Sequence, residues 1–295
     1  SPSFTVSPSK QFYHCFGCGA HGNAIGFLME YSGLGFVDAI KELAGRAGMQ
    51  VPDDHGAAGQ HVGKSQALGE IMARAARFYY EQLKGSARAV SYLKERGVSG
   101  EIARRFGLGY APEGWQNLAA AFDDYSSSEL QLAGLVINNE RGRLYDRFRE
   151  RVMFPIVSQK GEVIAFGGRV LGQGEPKYLN SPETPLFEKG REVFGLPQAR
   201  AVIRAQDVVI VVEGYLDVVA LAQHGIGNAV ATLGTATTTM QVQKLLRQAG
   251  RIVFCFDGDA AGRKAAWRAL ENSLEVLTEQ KSIAFVFLPE GEDPD

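Results

Sequence analysis

Cysteine, net charge and long apolar runs are all scarce in this 295-residue sequence. Three cysteines, Cys15, Cys18 and Cys255, are too few and too unevenly placed for a disulfide framework. That paucity points to the cytosol, with Cys15 and Cys18 spaced as a ligand pair. No apolar run approaches the ~20 residues of a bilayer span. The longest is Val208–Val212, so no membrane partner is expected. Ser1-Pro2-Ser3-Phe4 lacks the basic-then-apolar order of a secretory signal. Internal repeats and low-complexity tracts are missing as well. The net charge of −2 taken alone argues against a protein that grips nucleic acid. That sum conceals an asymmetry: residues 141–191 carry a net +4 and residues 192–295 a net −4.

What is present is an ordinary globular composition, 45% hydrophobic and 22% charged, in a length that suggests two domains. Residues 1–51 read as a compact unit, with a strand at Phe12–Phe16 and a helix whose Phe36, Ala39, Ile40, Leu43, Ala44 and Ala47 recur on one face. Residues 52–65 are Gly, Ala, Asp and His without an apolar period, and read as a linker. Its Ala58–Ser65 stretch fits a loose phosphate-binding P-loop, but no buried strand precedes it, so that reading is rejected. Residues 66–135 are mostly helical in pattern. Strands follow at Arg151–Val157 and Val163–Val170 around a hairpin turn, then a Pro- and Gly-rich loop from Gly172 to Arg191. From Asp207 the rhythm is βαβ, with short apolar runs at Val208–Val212, Ala229–Thr232, Ile252–Phe256 and Ile283–Leu288. Strands this apolar between helices predict a parallel sheet covered on both faces.

Two of those strands end in acids. Glu213 follows Val208–Val212, and Asp257-Gly258-Asp259 follows Ile252–Phe256. Ligands of open parallel sheets bind beyond the C-terminal strand ends, where both acidic sites fall. Carboxylates ~4 Å apart repel by roughly 4 kcal/mol per pair at an effective dielectric of ~20. A hard cation removes that cost, and Mg²⁺ favours carboxylate oxygens with substrate phosphates. A lone Asp before a helix is more simply an N-cap. Acids at two adjacent strand ends favour the metal.

The basic stretch is the second constellation. Arg147, Arg149 and Arg151 alternate, which in an extended segment puts them on one face, ~7 Å apart. Arg169, Lys177, Lys189 and Arg191 extend the patch, and Tyr178 adds a stacking surface. The bare pattern fits a phosphate-binding groove and a solvated face equally. Cys15-x2-Cys18 has zinc-knuckle spacing but supplies two of the four ligands a structural zinc needs, and His14 and His21 lie nearby. Cys255, inside an apolar strand, reads as a small core residue.

Val211-Val212-Glu213-Gly214-Tyr215-Leu216-Asp217 and Phe256-Asp257-Gly258-Asp259-Ala260-Ala261-Gly262 resemble the two signatures of a Toprim domain. With Phe12–Gly19, Tyr145–Ile156 and Pro176–Thr184, the resemblance extends end to end to the bacterial DnaG-type DNA primases. It implies an α+β and α/β chain in four parts: a partial zinc-ribbon-like domain (1–51), a linker (52–65), a mixed α/β basic subdomain (66–206) and a Rossmann-like Toprim subdomain (207–295).

It implies catalytic Glu213, Asp257 and Asp259, with Asp217, Asp293 and Asp295 as further Mg²⁺ or Mn²⁺ ligands. Read without the family, that last pair is a solvated terminus. Cys15 and Cys18 would hold Zn²⁺ in the intact protein, whose second ligand pair would lie upstream of Ser1. Arg169, Lys177, Asn180 and Lys189 match the family's template and nucleotide groove, joined by Arg147, Arg149 and Arg151. The expected activity is synthesis of short RNA primers from ribonucleoside triphosphates on single-stranded DNA, at the cytoplasmic replication fork. Contact with a replicative helicase would use a C-terminal domain absent from this sequence. A Toprim nuclease or topoisomerase, and a non-catalytic zinc-plus-Toprim DNA-binding module, are the alternatives.

Overall fold

The computed structural model describes residues 3–17, 19–32, 34, 36–49, 58–234 and 236–289, with backbone alone for Val37 and 58–64. Cys18, Asp293, Asp295 and the first part of the expected linker lie outside the described residues. The chain forms two compact units, 1–61 and 62–295.

In the first unit, β1 (Phe4–Ser7), β2 (Phe12–Cys15) and β3 (His21–Gly22) make an antiparallel sheet followed by α1 (Ala24–Ser32) and α2 (Phe36–Arg46). Aromatic packing holds it: the buried Tyr13 ring stacks on Phe4 at 5.5 Å and meets Phe27 edge-on at 5.2 Å.

The second unit begins within α3 (Ala58–Gly85). Residues 58–65, expected in the linker, are its first turns. Ala, Gln and Lys are good helix formers, which favours helix here although Gly59 and Gly63 punctuate it. This places the loose P-loop match on a helix. Leu68, Met72, Ala75 and Tyr79 recur at helical spacing and bury one face of α3 against Phe148, Met153 and Phe166. Next come α4 (Ala87–Glu95), capped by Ser86, and α5 (Gly100–Arg105), capped by Ser99.

Strands β4 (Gly109–Ala111), β7 (Arg151–Val157), β8 (Val163–Val170) and β9 (Tyr178–Asn180) form an antiparallel sheet in the order β4-β7-β8-β9. Between them lie a short helix, α6 (Ser128–Leu132), and the hairpin β5 (Val136–Asn138) with β6 (Leu144–Asp146). The continuous apolar run of β7 follows from burial on both faces. Met153 faces the α3 cluster, while Val152, Phe154 and Ile156 enter a second cluster with Val212, Tyr215, Leu216 and Val219. Residues 66–206 and 207–295 thus share a core within one unit.

The remainder is β10 (Val193–Phe194), α7 (Leu196–Gln206), β11 (Val208–Val212), α8 (Tyr215–Gln223), β12 (Ala229–Thr232), α9 (Thr239–Leu246), β13 (Arg251–Phe256), α10 (Ala260–Leu274) and β14 (Ser282–Phe287). The sheet order is β10-β12-β11-β13-β14, parallel except for the antiparallel edge strand β10. Val209, Val211, Ile252 and Phe254 are buried against α7, α9 and α10. No helix among the described residues is long and apolar enough to cross a membrane.

Candidate active site and nucleic-acid groove

Strands β11 and β13 are hydrogen-bonded neighbours, with Val208 opposite Arg251 and Val211 opposite Phe254. Their ends therefore deliver Glu213 and Asp257 side by side. The Asp257 backbone N–H donates to Glu213 Oε1 at 3.4 Å. Burial first, then the negative charges of Asp257 and Asp259, push the Glu213 carboxyl above the usual carboxylate range, while the Asp257 N–H pulls it back.

Asp259 caps α10, its Oδ1 accepting from the Gly262 N–H at 2.7 Å. Residue 262 must be glycine, because a Cβ there would run into the Asp257 carbonyl oxygen. Asp217 sits in the first turn of α8, where its Oδ2 accepts from the Gly214 N–H at 2.8 Å. Cys255 is half-buried beside these acids. Burial and the charges of Asp217, Asp257 and Glu213 raise its thiol above its ordinary value, so its setting is more polar than a plain core position.

The cation question turns on this donor set. Among the described residues no group of three or more His, Cys, Asp and Glu side chains is gathered tightly enough to hold a metal ion. One oxygen of Asp259 is turned to its own helix. Even so, acidic oxygens at two neighbouring strand ends, one with its charge disfavoured by the others, suit a hard divalent cation in type.

In the first unit, the Cys15 thiol points to Ser3 Oγ at 3.8 Å, and the His14 and His21 rings lie 5.9 Å apart. Two thiols at this spacing would be half of the four ligands a structural zinc takes. His14 Nδ1 is buried without a hydrogen-bond partner, which makes it the unused donor nearest the pair in sequence.

The arginines do not share one extended face, contrary to expectation. Glu150 adopts a left-handed φ of 53°, so the chain turns between β6 and β7. Each guanidinium goes its own way. Arg147 donates through Nε and Nη2 to the Asn180 carbonyl at 3.1 and 3.0 Å. Arg149 donates to the Asp146 carbonyl at 2.5 Å and lies over Trp115 at 4.6 Å and Tyr145 at 5.1 Å. Arg151, 6% exposed, donates to the Gly168 and Lys177 carbonyls at 3.3 and 3.4 Å. Burial lowers the proton affinity of Arg147 and Arg151, and for Arg151 the charges of Arg149 and Arg169 add to it.

The three arginines nonetheless line one cavity of about 360 Å³, with Glu113, Trp115 and the β8–β9 loop. Arg169 is buried under Tyr178, 5.1 Å from its ring, and its Nε has no hydrogen-bond partner. Lys177 is exposed. Lys189 is half-buried, its backbone N–H donating to the Glu183 carboxylate at 3.2 Å.

Asn180 joins the two constellations. Its carbonyl takes Arg147, its Oδ1 accepts the buried Tyr215 hydroxyl at 2.7 Å, and its Nδ2 donates to the Leu233 carbonyl at 3.2 Å. Tyr215, two residues past Glu213, also stacks on Phe154 at 5.3 Å. Its ring leaves no room for a Cβ on Gly167. Sequence reasoning missed Tyr215 as a brace and Trp115 as a groove residue. The aromatic neighbours Trp115 and Tyr145 around an arginine-rich stretch were the available signal for the second; nothing local marked the first.

A zinc-ribbon-type unit, an arginine-lined meander and a Toprim-type parallel sheet define the class by architecture. Family models agree part by part: CHC2 zinc finger over residues 1–59, DNA primase catalytic core N-terminal domain over 78–200, and Toprim-like over 210–295. The chain is 56% identical over 301 residues to a DNA primase of Neisseria meningitidis serogroup B, matching all of this chain and 51% of that protein. It is 50% identical over 301 residues to the Escherichia coli DNA primase, covering 52% of it.

A crystal structure of a DNA primase domain from Pseudomonas aeruginosa matches at TM-score 0.73 and 57% identity, covering 77% of this chain and 73% of that one. The DnaG primase catalytic domain bound to ssDNA matches at 0.74 and 48%, covering 79% and 77%. The Aquifex aeolicus primase, with zinc-binding and RNA polymerase domains, matches at 0.71 and 38%, covering 100% and 71%. This chain belongs to the DnaG-type DNA primase family. It spans about half the length of the curated relatives it matches.

Proposed function

We propose that this chain carries the zinc-binding and RNA-polymerase parts of a DNA primase, joining ribonucleotides along single-stranded DNA. One observation carries the reading: the acidic strand ends and the arginine-lined groove lie in one compact unit, tied by the Tyr215–Asn180 hydrogen bond. The cavity at Arg147, Arg149 and Trp115 suits a template strand, with phosphates facing guanidinium groups and a base facing the indole. Lys177, Arg169 and Lys189 would bind the template or the incoming triphosphate.

In the reaction, the 3′-hydroxyl of one nucleotide attacks the α-phosphate of the next, and pyrophosphate leaves. Glu213, Asp257 and Asp259, with Asp217 and the Asp293–Asp295 pair, would hold Mg²⁺ or Mn²⁺. Bound there, the cation lowers the cost of charge on the hydroxyl and the triphosphate. The chain's own contribution is positional: Asp257 and Asp259 are fixed by the β13–α10 turn, and Glu213 is held to Asp257 by a backbone N–H. Cys15 and Cys18 would contribute to a zinc site that serves start-site choice. Ribonucleoside triphosphates would be the substrates, a replicative helicase the partner, and the replication fork the place of action.

The test is a pair of variants. Asp257→Ala and Asp259→Ala should abolish primer synthesis and leave single-strand binding within about twofold, since the groove residues are untouched. Equal loss of both would overturn the division of labour. Metal-dependent plasmid nicking without ribonucleotide incorporation would favour a Toprim nuclease instead.

A further inference from the structure

Among the described residues Asp146, at the end of β6, is the one acid buried in the protein, at 1% exposure. A buried carboxylate is costly unless its oxygens are hydrogen-bonded, and both are. Oδ1 accepts the Tyr125 hydroxyl at 2.7 Å, and Oδ2 accepts the Leu118 N–H at 3.1 Å. The second bond caps a helix from outside. Asn117–Ala120 is a single turn of 3-10 helix. Its own N-cap residue, Gln116, makes no side-chain cap and donates its amide to the Leu144 carbonyl instead. The acceptor missing from that turn comes from β6.

The same residue holds the chain just ahead of the turn. The Asp146 backbone N–H donates to the Trp115 carbonyl at 2.7 Å, and the Asp146 carbonyl accepts the Arg149 guanidinium. The Trp115 indole is 66% exposed, with the Tyr145 ring edge-on at 5.6 Å and the Arg149 guanidinium at 4.6 Å. Ordering so exposed a ring costs rotamer entropy that burial offsets only in part, so its place follows from its backbone.

We propose that Asp146 is a positioning residue for the template strand. Its carboxyl fixes the 115–118 segment so that the Trp115 indole stands beside Arg149 as a platform for one base. This role rests on the proposed groove, in which the indole faces a base, and adds to it a residue that touches neither strand nor cation.

The experiment uses the whole chain carrying Trp267→Phe, which leaves Trp115 as its sole tryptophan. Asparagine at 146 keeps the volume but offers one acceptor oxygen where two donors need one each. Without DNA, Asp146→Asn should give the indole a fast local motion in time-resolved fluorescence anisotropy. Tyr125→Phe should leave the indole as still as in the parent, because the Leu118 cap stays. Binding of single-stranded DNA should weaken about threefold in Asp146→Asn at an unchanged salt slope, since no cation is lost. Trp115→Ala should weaken it about tenfold, as loss of a stacking ring does. Adding Asp146→Asn to Trp115→Ala should weaken binding no further, although it shifts the thermal midpoint equally in both backgrounds. A brace for stability alone would leave the anisotropy unmoved.

An indole equally still in Asp146→Asn, or a further loss of affinity when Asp146→Asn is added to Trp115→Ala, would overturn the proposal. Trp115→Ala binding as tightly as the parent would instead refute the groove, with the anisotropy still deciding whether Asp146 holds Trp115.

Discussion

Tyr215→Phe removes a single oxygen and isolates the link between acids and groove. The hydroxyl is buried and donates to Asn180 Oδ1 at 2.7 Å. Phenylalanine keeps the ring between Phe154 at 5.3 Å and Phe194 at 4.9 Å, so packing is preserved and no cavity forms. What is left is Asn180 Oδ1 without its donor in a half-buried place, a loss of ~1–3 kcal/mol. In a cooperative unit of this size, each kcal/mol moves the midpoint by about 2–4 °C, so thermal unfolding should show a drop of a few to about ten degrees.

Asn180→Ala should cost more, because the Leu233 carbonyl also loses its donor. In the double variant the penalties should fall short of additive by about 1 kcal/mol, the signature of a direct contact. Primer synthesis should fall in Tyr215→Phe through kcat, while template affinity holds, since the arginines keep their own carbonyl partners. Additive penalties, or a Tyr215→Phe midpoint within a degree of the parent, would refute the brace.

Four further outcomes follow from named contacts. Asp259→Asn keeps a good N-cap for α10 but removes the charge, so stability should stay within about 0.5 kcal/mol while synthesis falls ~10²-fold or more, read by calorimetry and primer assay. Gly262→Ala should destabilise the β13–α10 turn and abolish synthesis, because its Cβ would collide with the Asp257 carbonyl; a folded, active variant would contradict this. Arg149→Ala should weaken single-strand binding and reduce its salt slope by about one, whereas Trp115→Ala should weaken binding with the slope unchanged. Burial raises the Asp146 carboxyl above its ordinary range despite the Tyr125 hydroxyl and Leu118 N–H. The folded state then holds that proton more tightly than the unfolded one, so this group's contribution falls as pH rises from the unfolded value through the folded one. In urea titrations, Asp146→Asn should accordingly gain on the parent between pH 4 and pH 7.

Legibility in the sequence followed the range of the forces involved. Arg151–Val157 and Val163–Val170 emerge at the bounds read from their apolar runs and the turn between them, because both burial and turn chemistry are local there. The parallel strands and the acids that end them were equally readable, since strand, carboxylate and helix cap are consecutive. Strand β9 was hidden inside a Pro- and Gly-rich loop, as its three residues are extended only by pairing with Gly167–Arg169. The alternating arginines misled for a similar reason. Their even spacing implies one face only if every residue between them is extended, and Glu150 is not. Asn180 was placed in the groove by resemblance, but both ends of its amide are spent inside the protein, on Tyr215 and Leu233. Such a pair, 35 residues apart, leaves no trace in periodicity or spacing.

Template-directed ribonucleotide incorporation is the most direct test of the central claim. Labelled ribonucleoside triphosphates, a single-stranded DNA template and Mg²⁺ are supplied to the chain and to its Asp257→Asn variant. Short RNA complementary to the template should appear with the parent and vanish with the variant, while both retain the strand. Products of equal yield from the two, or a parent that binds template and Mg²⁺ yet joins no ribonucleotides, would contradict the account.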